Sequence, residues 1–146
     1  MWTCPECGRV FARTGQQHSC RSVPLDEHFR GRDAARLLFD ALLERIRSEI
    51  GPCTTISIPC CIHLFGSCDF LAALPKRDSL EIRFALAGRS PDPRFEHIVP
   101  LSSTRNKHTL HIRSIDEIDH SLMAMIDASY RLQPAGTARS SPRRES

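Results

Sequence analysis

The chain has 146 residues, 40% of them hydrophobic and 25% charged, with a formal net charge of +3 and seven cysteines. This composition suits one packed domain with small appendages and excludes a globally disordered chain. No apolar run approaches the roughly twenty residues that cross a bilayer, and the N-terminus lacks a basic-then-apolar leader layout. The sequence therefore predicts a cytoplasmic protein with no membrane partner.

In a reducing compartment, cysteines serve as metal ligands, core packing or reactive thiols rather than disulfides. Residues 1–21 gather Cys4, Cys7, His18 and Cys20. Cys4 and Cys7 form C-x-x-C, whose tight turn aims two sulfurs at one ion. His18 and Cys20 form H-x-C, and the ten residues between the pairs allow a small hairpin return. Three thiolates and an imidazole are a tetrahedral zinc set, and four protein ligands make a closed structural site. Pro5 and Gly8 suit the turn, and Arg9, Arg13 and Arg21 could offset its negative charge. A segment this short cannot bury enough surface to fold alone. A structural zinc contributes about 10–16 kcal/mol of apparent binding energy in small finger peptides. The expectation is a zinc knot, with Trp2 and Phe11 as its miniature core.

Residues 22–31 read as a linker. Asp33 to Ile50 then forms a helix, with Ala35, Leu38, Phe39, Leu42, Ile46 and Ile50 on one face, Asp33 as N-cap and Gly51-Pro52 as the stop. From Cys53 to Arg113 the pattern changes to short strands. Candidates are 54–58, 62–65, 70–74, 80–87, 96–99 and 108–113. The clearest alternates Leu80, Ile82, Phe84 and Leu86 with Glu81, Arg83 and Ala85, the period of a sheet with one buried face. Short links suggest an antiparallel meander of about five strands. A second helix follows Ser114 and Glu117, read as a capping box, with Ile115, Ile118, Leu122, Met125 and Ile126 as its apolar stripe. The fold class is α+β, with both helices on one face of the sheet. The domains are 1–21 (zinc knot), 22–132 (α+β) and 133–146 (a disordered basic tail). The +3 charge resides in residues 131–146, and the balanced remainder weakens the electrostatic case for nucleic acid.

The cysteines outside the knot, Cys53, Cys60, Cys61 and Cys68, read as core packing among strand-like neighbours. Lys76 and Arg77, with Arg94 and His111, are candidate anion or ligand contacts, although a solvated hairpin turn is the preferred reading of the first two. No nucleotide-binding or hydrolase fingerprint is present.

Trp2, Cys4, Cys7, Arg9, Phe11, Arg13, His18 and Cys20, followed by "DEHF", "KRDSLEI", "DPRF" and "SIDEID…ASY", resemble an uncharacterised bacterial family, domain of unknown function 5655. The resemblance implies this architecture and the zinc knot, and no reaction. The leading functional reading is a non-enzymatic, zinc-containing binding or interaction module. One alternative is an enzyme with its site near Lys76, Arg77, Arg94 and His111. Another is a nucleic-acid-binding accessory protein, so the partner, protein or nucleic acid, stays open.

Overall fold

A computed structural model describes residues 1–6, 8, 10–17 and 22–132. The expected basic tail, and the knot residues Cys7, His18 and Cys20, lie outside the described residues.

A two-stranded hairpin, β1 (Trp2–Thr3) and β2 (Val10–Phe11), opens the chain. A short 3-10 helix, Leu25–Phe29, occupies the expected linker. Helix α1 (Asp33–Glu49) follows. Its N-cap is Arg32 rather than Asp33, which becomes the first helical residue and there complements the helix dipole. The helix stops where expected: Gly51 N still donates to Ile46 O at 3.0 Å, and Pro52 has no N–H to continue.

Six strands form one antiparallel sheet: β3 (Thr54–Ile58), β4 (Cys61–Phe65), β5 (Asp69–Pro75), β6 (Leu80–Leu86), β7 (His97–Pro100) and β8 (Asn106–Ile112). The spatial order β3-β4-β5-β6-β8-β7 corrects the simple meander. After β6 the chain skips one position, runs down the sheet edge as β7 and returns as β8 between β6 and β7. Burial decides this. Leu110 and Ile112 of β8 are fully buried and need a central position, whereas β7 is largely exposed and ends in Pro100, a residue suited to an edge.

Helix α2 (His120–Tyr130) closes the chain. The expected capping box does not form. Ile115–Glu117 is a separate 3-10 turn, Ser114 caps nothing, and the Glu117 carboxylate accepts from Arg113 N instead. Asp119 is the N-cap, accepting from Leu122 N at 2.9 Å. Ile115 is consequently exposed and leaves the apolar stripe.

Both helices pack on the inner face of the sheet. Phe39, Leu42 and Ile46 of α1 and Leu122 and Ile126 of α2 meet Ile62, Leu64, Leu71, Ile82 and Leu110 in one core. His108 is fully buried in that layer, stacked on Phe84 and edge-on to Phe95. Its two ring nitrogens are both used: Nε2 accepts from Ser90 N at 3.0 Å and Nδ1 contacts Asn106 O at 2.9 Å. No helix among the described residues is long and apolar enough to cross a membrane.

Candidate functional site

Strand alternation sends a second set of side chains to the outer face, away from the helices. His63, Ala72, Arg83 and Thr109 form one cross-strand row, and Leu74, Glu81 and His111 form the next. Ala85 and Lys107 form a third. Small residues at Ala72 and Ala85 leave a hollow in the middle of this face. The N-terminal segment lies across it, with Val10, Phe11 and Gln16 facing the strands over a cavity of about 600 Å³. Val23 N donates to Ser57 O at 3.1 Å and ties this segment to the sheet edge.

Beside the cavity lies a closed charge network. Glu81, only 7% exposed, receives Arg83 Nη2 at 2.5 Å, His111 Nε2 at 3.3 Å and Lys76 Nζ at 3.7 Å. His111 Nδ1 also donates to Glu96 Oε2 at 2.8 Å. A buried carboxylate persists only when paired, and here it is paired three times. The structure therefore brings Lys76 and His111 together on one acidic side chain, which neutralises them as an anion site. Arg77 is exposed in the turn closed by Lys76 N and Ser79 O.

Arg94 is elsewhere. Its guanidinium holds Asp92 at 2.8 Å and Asp119 at 3.2 Å and donates to Glu117 O at 3.1 Å. That pairing keeps the Asp92 carboxyl below its ordinary range and the Arg94 pKa above its own, each chiefly through their mutual hydrogen bonds. Arg94 staples the β6–β7 link to the start of α2.

At the opposite side of the cavity, Cys61, His63 and Asp69 form a line. Cys61 Sγ lies 3.2 Å from His63 Nε2, and His63 Nδ1 lies 2.7 Å from Asp69 Oδ2. The second approach is off the N–H direction, so it is a close contact without an aligned hydrogen bond. Burial pushes the Cys61 thiol up to about 12, and neighbouring Cys60 and Asp69 push the same way. The resting group is a thiol.

Of the four cysteines read as core packing, Cys53 and Cys61 are buried, and Cys53 joins the main core cluster. Cys60 is exposed because Pro59 and Cys60 make the two-residue turn between β3 and β4. Cys61 is buried on the outer face and Cys68 is half-buried, and both line the cavity. Among the described residues, no three His, Cys, Asp or Glu side chains converge as a metal would require.

In the N-terminal hairpin, Cys4 is 3% exposed. Gly8 N donates to Cys4 O at 2.8 Å, and Gly8 takes a φ of 77°, the left-handed conformation that lets the chain turn back after a C-x-x-C pair. The Trp2 and Phe11 rings pack across the hairpin at 6.1 Å. This local geometry fits Cys4 as one ligand of a knuckle.

Sequence reasoning missed the cavity, although a signal was present. Residues 70–74, Phe-Leu-Ala-Ala-Leu, are apolar on both faces of β5, and such a strand is covered on both sides.

Residues 25–133, most of the chain, match a family described as domain of unknown function (DUF5655). The match begins after the N-terminal cysteine motif. No curated protein and no solved structure matches the chain.

Proposed function

The chain belongs to the family of domains of unknown function 5655, which carries no assigned reaction, and on its own geometry we propose that it is a small-molecule-binding module. The observation that carries this reading is the roughly 600 Å³ cavity between the N-terminal segment and the outer face of the sheet. Its size lies in the ~300–1,000 Å³ range of small-molecule sites, and it combines apolar lining with a few polar side chains, as such sites do. The N-terminal segment is its roof. Zinc on Cys4, Cys7, His18 and Cys20 would hold that roof closed, a role supported by the buried Cys4 and the turn at Gly8.

Filling the hollow tests this. Ala72→Phe places a ring in the middle of the outer face without touching the helix-side core. A fluorescent apolar probe such as phenylnaphthylamine should bind the native protein at micromolar concentration and lose at least ~tenfold in affinity for the variant. Equal affinity for both proteins would place the bound probe elsewhere and remove the reading.

One arrangement favours a second reading, thiol-dependent acyl transfer. Cys61 would be the nucleophile and His63 the base, with Asp69 beside the imidazole but not aligned to orient it. The raised thiol pKa weighs against it, because a thiol is a far weaker nucleophile than a thiolate.

A further inference from the structure

We infer that the ligand of this cavity is an amphipathic anion: an apolar body carrying one carboxylate, sulfonate or phosphate group. This rests on the binding reading above and adds the chemistry of what is bound.

The cavity has two chemical ends. Its floor and roof are apolar, with Ala72, Leu74 and Ala85 on the sheet and Val10 and Phe11 above them. Its charged lining consists of Asp69, Arg83, Arg105 and Lys107. Two of these already lie against another polar side chain. Asp69 sits against His63, and Arg83 is held by Glu81. Arg105 and Lys107 remain, both half-buried, and neither has an acidic partner among the described residues.

Their positions are fixed by backbone. Lys107 stands opposite Ala85 in the β6–β8 ladder, next to the floor of the hollow. Arg105 ends the β7–β8 turn, where its carbonyl accepts from Leu101 N at 2.9 Å and Ser102 N at 3.2 Å. These two cations, two residues apart in the chain, border the apolar space. An acidic group would pair with both, while its apolar body fills the hollow. Arginine offers a planar fork for a carboxylate or phosphate, and lysine adds a point charge. A neutral ligand would gain only the apolar half of the site, and a cationic ligand would be repelled.

The test compares two fluorescent probes of the same aromatic framework on the full chain: anilinonaphthalene sulfonate, which is anionic, and phenylnaphthylamine, which is neutral. The sulfonate should bind at least ~tenfold more tightly. The double variant Arg105→Gln/Lys107→Gln should lose about that factor for the sulfonate and leave the neutral probe unchanged. Added salt should weaken the sulfonate alone. Ala72→Phe should weaken both, and Ala85→Leu serves the same purpose should the first variant fold poorly. Equal affinity for the two probes, or an unchanged ratio in the double variant, overturns the anion while leaving the cavity reading intact. Sulfonate binding that survives both cavity-filling variants would be surface ion pairing and would also overturn it. Failure of both probes to bind would remove the cavity reading and the inference together.

Discussion

Cys61 Sγ and His63 Nε2 lie 3.2 Å apart on adjacent outward positions of β4, and the thiol is nonetheless held protonated, with its pKa pushed up to about 12. The first cause is burial, and Cys60 and Asp69 add to it. Alkylation should therefore order the cysteines by exposure. With iodoacetamide at neutral pH, mass spectrometry should find exposed Cys60 modified first and Cys61 at least ~tenfold more slowly. Fastest labelling at Cys61, lost in His63→Ala, would instead support the acyl-transfer reading.

Tyr130 is a wedge. A Cβ on Gly66 would fall 2.5 Å from its ring, and one on Gly51 would fall 2.7 Å from its hydroxyl. The ring cannot swing away freely, because its hydroxyl donates to Pro52 O at 2.8 Å and its edge meets Phe70. Gly66→Ala should destabilise the fold by about 1–3 kcal/mol through overpacking. Tyr130→Phe should lose about 1 kcal/mol with the hydrogen bond. Urea unfolding checks both, and a neutral Gly66→Ala would show that α2 ends more loosely than described.

His28 makes stability fall with acid. It is 8% exposed, its Nε2 has no partner among the described residues, and burial holds its pKa below the ordinary value of 6.5. Below that value the unfolded chain takes up a proton that the folded chain refuses. Stability contributed here is thus complete above about pH 6.5 and is lost as pH falls toward the depressed folded value. Urea midpoints at about pH 7.5 and about pH 5.5 should differ, and His28→Gln should narrow the gap. An identical gap in the variant would assign the acid response to other groups.

Much of this architecture is legible in the chain, for physical reasons that also explain the failures. The helix at 33–49 and the alternation at 80–86 announce themselves because each buries one face, and burial imposes a period. The strand order is less legible. The stretch from 87 to 96 can reach either the next position or the one beyond, and only the burial of Leu110 and Ile112 decides between them. The α2 start was misread because Ser114 and Asp119 are both competent caps, and tertiary packing selects the second. Among the site residues, Arg94 and His111 are residue types that suit an anion site, but their acidic partners, Asp119 and Glu81, are distant in sequence. Arg105 and Lys107 carry no such signal in the sequence, because being a half-buried cation without an acidic partner among the described residues is a tertiary property.

The N-terminal motif yields a separable prediction. Purified protein should contain one zinc per chain, and Cys7→Ser or Cys20→Ser should lose it. The domain after residue 22 should remain cooperatively folded on chelation, because no described hairpin residue belongs to its core. Probe binding should weaken, since the roof of the cavity would be released. Full zinc content in Cys20→Ser would rule out the four-ligand set.

The central claim is that the outer face of the sheet, under the N-terminal segment, binds a small molecule. Its most direct test is to titrate isotope-labelled protein with anilinonaphthalene sulfonate and follow the backbone amides by NMR. The account predicts saturable shifts concentrated at Val10, Phe11, Ala72, Leu74, Ala85 and Lys107, with the α1 amides from Asp33 to Glu49 unmoved. Shifts centred on the helices, or none at probe concentrations that saturate fluorescence, would contradict it.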